Sequence, residues 1–324
     1  MTKTPLIVLG DYAWDVLIRT NSKLLPGGDT FGEVMLAPGG SAANVAVWAQ
    51  RCGLETMFVG KIGRDNFGEL AEDDLRSEKL DAYFIHTDAH LTGSVAVWID
   101  ETGERSMVSG KGADHYLLPS ELPVKHLQRC GHLHLSAWSF FADPPRAAAK
   151  RAAKIVHEAG GTISFDPGSF QLIGEMGVKN FLDITQDLSI DLLLPNYDEG
   201  RILTGKKNPA DIAKKLSELY PEALIALKLD ADGSLIFDKK KFTKIPAGSN
   251  RLIDATGAGD SYAGAFLAKY LNGKSAVDSA KFATKISSWV IEHLGARPKA
   301  DTSLRRILRG VNGGKPRNTN SPLK

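Results

Sequence analysis

The run DATGAGDSYAGAF, from Asp254 to Phe266, places bare backbone beside a carboxylate. Gly257 and Gly259 carry no side chains, so a ligand can approach their amides closely. A helix beginning near Gly259 adds unpaired N–H groups and the positive end of its dipole. Thr256-Gly257-Ala258-Gly259 therefore reads as an anion site. Asp260 follows at once, where its charge would repel a phosphate. Two readings stand side by side. Asp260 is a helix-start residue, a position where Asp is favoured. Alternatively, it takes the proton of a hydroxyl attacking phosphorus, with the alcohol lying between carboxylate and phosphate. In the second reading the helix end keeps the carboxylate ionised. Neither common nucleotide motif is present: no GxxxxGK[ST] occurs, and Tyr262 holds the third glycine position of a dinucleotide fingerprint.

Such a site needs elements to hold it. The 324 residues, 43% hydrophobic and 24% charged, suit a soluble globular protein with a full core. Lys+Arg 40 against Asp+Glu 38 gives +2, no charge-based reason for a nucleic-acid or membrane partner. Cys52 and Cys130 read as reduced, packed thiols of a cytoplasmic protein. No stretch approaches ~18 uninterrupted apolar residues, and no signal peptide is expected.

Apolar runs at 6–10, 56–60, 132–135, 162–166, 191–195 and 223–229 predict strands, several of them covered on both faces. Helical patterns at 41–52, 67–79, 144–160, 210–219, 259–271 and 275–294 alternate with them. This β-α-β-α order predicts a mainly parallel sheet with helices on both sides. Two segments break the rhythm: 16–20 with 31–37, and 94–110, a hairpin turning at Glu101-Thr102-Gly103. They predict an antiparallel flap over one end of the sheet. Residues 311–324 read as a flexible C-terminal tail.

DATGAGD resembles the C-terminal signature of the ribokinase-like (PfkB) carbohydrate and nucleoside kinases. PGGSAANVAVWAQRCG, residues 38–53, resembles that family's Gly-Gly…Asn pattern, and Asn196-Tyr197-Asp198-Glu199 resembles its NxxE motif. The three occur in the family's order over roughly residues 5–300. The resemblance implies a three-layer α/β/α sandwich with a mainly parallel central sheet. It implies one kinase domain over 1–310, with a small β lid from about 12–37 and 94–110. The activity implied is ATP-dependent phosphorylation of a hydroxyl, a primary one, on a small sugar. A nucleoside kinase of the same fold is the alternative. A non-catalytic sugar- or nucleotide-sensing module stands third, opposed by the retention of Asp260, Glu199 and Gly-Ala-Gly.

By resemblance, Asp260 is the base, the amides of Gly257, Ala258 and Gly259 form the anion hole, and Thr256 lies on the nucleotide side. Asn196 and Glu199 fall where the family organises Mg²⁺, partly through water. Asp15, with Asp11 nearby, falls where substrate hydroxyls are gripped; Gly39, Gly40, Asn44 and Ser136 line the same region. Lys228 and Gly233 bound the adenine-side loop, often Thr-Leu-Gly-x-x-Gly in the family. Here Lys228 replaces the hydroxyl residue and Asp230 adds a negative charge. A second departure is Asp166-Pro167-Gly168-Ser169-Phe170, which lacks the Asn and Arg of the Asp-Pro-Asn-x-Arg usual in fructokinases and 2-keto-3-deoxygluconate kinases. A sugar acid thereby loses its expected cation. Arg105 reaches the substrate or the solvent. Trp14, Phe31, Trp98 and Trp138 stack on a nucleobase or pack in the core. Exposed apolar side chains expected at Val34, Leu36 and Val97 suggest a homodimer through the lid. Potassium activation, known in parts of the family, is a further expectation.

Overall fold

The computed structural model describes residues 4–23, 25–99, 105–248 and 251–310. The predicted turn at 101–103, the Arg105 side chain and the predicted tail over 311–324 lie outside the described residues. The chain begins with β1 (Thr4–Leu9), β2 (Ala13–Thr20), β3 (Gly32–Gly39), α1 (Ser41–Arg51), β4 (Thr56–Gly63), α2 (Asn66–Ser77) and β5 (Asp81–Thr87). It continues through β6 (Gly93–Ile99), β7 (Arg105–Ser109), α3 (Val124–Leu127), β8 (Cys130–Ser136), α4 (Pro145–Glu158), β9 (Thr162–Asp166), α5 (Phe170–Met176) and α6 (Val178–Thr185). The last part holds β10 (Leu192–Leu193), α7 (Tyr197–Thr204), α8 (Pro209–Leu219), β11 (Leu224–Lys228), β12 (Ser234–Asp238), β13 (Lys241–Ile245), α9 (Ala258–Tyr270), α10 (Ala276–Val290) and α11 (Thr302–Gly310).

Strand β1 shows why the sheet is sandwiched. Leu6, Ile7, Val8 and Leu9 are all buried, and side chains alternate across a strand. Leu6 and Val8 enter one core with α1, α9 and α10; Ile7 and Leu9 enter another with α4 and α8. Two cores on two faces make three layers. The nine-stranded sheet runs β13-β12-β11-β10-β9-β8-β1-β4-β5. It is parallel from β11 to β5 and antiparallel across β11, β12 and β13. No helix among the described residues is long and apolar enough to cross a membrane.

Several expectations shift. The β12–β13 hairpin was not foreseen; β13 reads KFTKI, and the edge lysines that discourage unwanted pairing also blur the apolar pattern. The helix predicted over 275–294 stops at Val290. The Ile291 carbonyl accepts the amides of Ile253 and Asp254, which diverts the chain and carries Gly295 to Arg297 toward the site. The predicted flap forms a four-stranded sheet, β3-β2-β6-β7, but it is not wholly antiparallel: its two hairpins join through a parallel β2–β6 pair. Val97, expected exposed, is fully buried with Leu17 and Ile99 in a small core under that sheet. Val34 and Leu36 are exposed as expected, at 69% and 43%.

Helices α1 and α9 are in close contact at Gly264. A Cβ there would meet the Val45 carbonyl, the Ala49 amide and Trp48 Cβ, and two of these are rigid backbone. Gly264→Ala is expected to lower unfolding free energy by about 1–3 kcal/mol through overpacking. Urea denaturation measures it; an unchanged midpoint would show that the two helices slide apart freely.

Candidate active site

Helix α9 starts where the sequence placed an anion site. Gly257 caps it with φ 73°, a left-handed conformation that disfavours a side chain, and a Cβ would collide with Ala296. Asp260 is the third residue of the helix and is half-buried. Its Oδ1 accepts the Ser41 hydroxyl at 2.8 Å, and its Oδ2 accepts the Asn44 side-chain NH₂ at 2.8 Å. Both donors come from the start of α1, which is itself held by Asp11. The two Asp11 oxygens accept the amides of Ser41 at 2.7 Å and Ala42 at 3.1 Å. Asp11 thus supplies the side-chain cap that Gly40, the capping residue, cannot. Its carboxylate, expected among the substrate contacts, is engaged in positioning α1.

Burial pushes the Asp260 carboxyl from 3.8 up to about 6, against the pull of hydrogen bonds from Asn44 and Ser41. The helix terminus was expected to keep this group low; desolvation outweighs it, and the group is still mostly ionised at neutral pH. The predicted three-amide hole is also modified. The amides of Gly257 and Gly259 have no acceptor among the described residues, whereas that of Ala258 donates to the Ala255 carbonyl at 3.2 Å.

Lys228 stands at the mouth of this hole. A Cβ on Gly259 would lie 3.3 Å from its Nζ. The ammonium donates to Asp166 Oδ2 at 2.6 Å. Burial pulls its pKa down, but Asp166 and Glu199 outweigh that and leave it raised, so it stays charged. Glu199 is buried and closes a capping box with Asn196. Its Oε2 accepts the Asn196 amide at 2.8 Å, its Oε1 accepts Asn196 Nδ2 at 2.9 Å, and Asn196 Oδ1 accepts the Glu199 amide at 2.8 Å. Burial first, then the Asp166 charge, pushes Glu199 up to about 8. One ammonium therefore faces three carboxyl groups, Asp166, Glu199 and Asp260. Among the described residues no His, Cys, Asp and Glu cluster would hold a metal unaided.

The other predicted residues divide by role. Thr256 locks its own loop: its amide and hydroxyl donate to Asp254 Oδ1 at 2.8 and 2.6 Å, and Asp254 Oδ2 accepts the Gly295 amide at 2.8 Å. The Asp15 carboxylate lies against Gly39, leaving no room there for a Cβ. Ser136 is buried at the end of β8, in register with Asp166. Gly233 turns the chain from β11 into β12. Trp14 is core: its indole donates to the Phe67 carbonyl at 2.9 Å and its ring meets Tyr12 edge-on. Phe31 is 90% exposed. Trp98 and Trp138 are half-buried, and Trp138 borders a cavity of about 10 Å³ beside Asp11 and Asp114.

Sequence reasoning missed Ser41 and Arg297. Ser41 reads locally as a helix-start serine. Arg297 carries no motif at all, yet its guanidinium reaches Asn44, Asp74 and Gly39.

Residues 4–303 match the sequence profile described as pfkB family carbohydrate kinase. A fructokinase of Escherichia coli is 32% identical over 274 residues, 83% of each chain. Fructokinase-1 of Zea mays is 30% identical over 281 residues, 82% of this chain and 86% of that one. Among solved structures, adenosine kinase from Sinorhizobium meliloti superposes with a TM-score of 0.85 at 23% identity, covering 96% of this chain and all of that one. A putative ribokinase II from Escherichia coli, in complex with ATP and Mg²⁺, gives 0.81 at 20% identity, over 96% of this chain and 100% of that one. The three-layer sandwich is thus the ribokinase-like fold.

The Asp260 carboxyl is expected to titrate with a midpoint near 6 rather than near 4. Ser41→Ala removes a hydrogen bond made to the charged form and moves the midpoint higher. Carboxyl ¹³C NMR reads both; a wild-type midpoint near 4 contradicts the burial argument.

Proposed function

Since the chain belongs to the pfkB family of carbohydrate kinases, we propose that it transfers the terminal phosphoryl group of ATP to a primary hydroxyl of a small neutral sugar, fructose being the first candidate. The observation that carries this reading is Asp260, half-buried beside two amides with no acceptor among the described residues, at a helix start, and gripped by two donors from α1. The fructokinase relatives support the substrate class.

Asp260 accepts the hydroxyl proton as the oxygen attacks phosphorus. The bond to the departing ADP breaks, and the sugar phosphate leaves with the new P–O bond. The Gly257 and Gly259 amides and the Lys228 ammonium stabilise charge on the moving group, which is where most of the catalysis of phosphoryl transfer lies. Asp15 accepts sugar hydroxyls over Gly39, and Asn44 and Ser41 keep Asp260 aimed. The excess of carboxyl over ammonium groups fits a divalent cation. Glu199 and Asn196, acting through water, would face a Mg²⁺ that arrives with the nucleotide. That ion would supply neutralisation of phosphate charge. Asp166 is paired with Lys228 and Ser169 caps α5, so this segment presents no cation to a sugar acid.

The four-stranded small sheet is the lid in this scheme, excluding water that would otherwise take the phosphoryl group. Its exposed face, with Val34 and Leu36, is the surface through which two copies would pair. A cytoplasmic setting suits both the ATP requirement and the two buried thiols.

Asp260→Asn is expected to lower kcat by about 10²–10⁴-fold while ATP still binds. An ADP-release assay over fructose, ribose, adenosine and 2-keto-3-deoxygluconate, with and without K⁺, measures turnover and acceptor together. Fructose is expected to lead. Turnover unaffected by Asp260→Asn would overturn the mechanism, and adenosine leading would move the assignment to a nucleoside kinase. With wild-type enzyme, kcat/KM should fall as pH drops through about 6, because protonation removes the base.

A further inference from the structure

Arg297 sits in the non-helical segment after α10, yet its side chain is only 1% exposed. Two of its three hydrogen bonds reach predicted site residues, and the third reaches α2. Nε donates to Asn44 Oδ1 at 2.6 Å, one terminal nitrogen to Asp74 Oδ2 at 2.6 Å, and the other to the Gly39 carbonyl at 2.5 Å. The guanidinium carbon lies 5.3 Å from the centre of the Tyr12 ring. The Tyr12 hydroxyl donates to the same Asp74 oxygen at 2.9 Å. The group is held from several sides and has no freedom to swing.

Its chemistry dictates the state of Asn44. A guanidinium donates and never accepts, so the amide oxygen must face it. The NH₂ group must then face Asp260, as found at 2.8 Å. A flipped amide would set NH₂ against the guanidinium and a carbonyl against the carboxylate, unfavourable at both ends. The same cation holds the Gly39 carbonyl, on the turn against which Asp15 lies. One buried side chain therefore joins the base to the acceptor turn, and it does so without touching Asp260.

We propose that Arg297 is a positioning residue for the phosphoryl acceptor: it locks the Asn44 amide with its NH₂ toward Asp260 and fixes the Gly39 carbonyl beneath the sugar. This rests on Asp260 being the base. A plain structural clamp between α1, α2 and the C-terminal segment would hold the fold equally well, but it would leave the titration of the base unmoved.

The test compares Arg297→Met and Arg297→Lys with wild type, using kcat and the pH profile of kcat/KM. Arg297→Met is expected to lower kcat by about a hundredfold, the scale of a small misplacement in a reacting site. It should raise the acid limb by about 1 pH unit, as a hydrogen bond to the charged form is lost. KM for ATP should change less than twofold. Arg297→Lys should not restore the limb, because one ammonium cannot fork between Asn44 and Gly39. In a cycle with Asn44→Ala, losing Arg297 should cost clearly less in kcat than it does in wild type, the remainder being its hold on Gly39. An unmoved acid limb, or losses that simply add, overturns the proposal. If Arg297→Met does not fold, Arg297→Met/Asp74→Asn, which leaves no stranded carboxylate, is read against the same outcomes. If that also fails, the wild-type Arg297 Nε resonance decides: it should shift with the Asp260 midpoint, and a flat response from pH 5 to 7 overturns the proposal. Asp260→Asn separates the two claims. Activity surviving it sinks the base assignment, whereas its loss beside an unmoved Arg297→Met limb sinks the Arg297 role alone.

Discussion

Everything at this site depends on two helix starts facing one another. Asp260 leaves the beginning of α9 and receives its hydrogen bonds from Ser41 and Asn44 at the beginning of α1. Helix N-termini are short of acceptors and rich in N–H groups. Two of them converging create a region that favours negative charge, and a carboxylate placed there can be desolvated without being silenced. The close contact at Gly264 allows this convergence, and Asp11 secures the α1 end by capping its first amides. The large sheet serves as the floor on which these helices are set.

A second theme is deliberate imbalance of charge. Lys228 is paired with Asp166, but it also feels Glu199 and Asp260. In this carboxyl-rich pocket burial pushes Glu199 up to about 8, and the neighbouring Asp166 charge adds to that rise. A fold at rest would gain by neutralising such a pocket. A kinase gains by leaving it open, because the missing charge can arrive with the nucleotide and leave with it. The segment after β9 lacks the Asn and Arg that the resemblance gives to fructokinases and 2-keto-3-deoxygluconate kinases alike, and Asp166 at the end of β9 pairs with Lys228.

The small sheet has one buried and one exposed face. Leu17, Val97 and Ile99 make a core of their own beneath it, next to Gly295 on the segment that also bears Arg297. Its outer face keeps Val34 and Val108 exposed, at 69% and 75%. The inner packing links the sheet to the same C-terminal segment that holds Asn44, so the small sheet and the Asp260 region share a support.

The sequence by itself determined the layered α/β fold, because consecutive buried residues such as Leu6 to Leu9 are a local signal of a two-faced parallel sheet. It also marked Asp260 and the Gly257–Gly259 turn, since glycine spacing and capping preferences act over a few residues, while Asn44, Asn196 and Glu199 were marked by resemblance to the family's motifs. The edge strands β5 and β13 were not legible: half-exposed edges lose the continuous apolar run. Only the tertiary structure decided what those residues do for each other. The pairing of Lys228 with Asp166 spans 62 positions, and Arg297 reaches Asn44 across 253. Burial, which sets the proton affinity of Asp260 and Glu199, is a property of the packed chain. Contacts between residues so far apart leave no periodicity or spacing in a single sequence, because their energy appears only when folding removes the water between them.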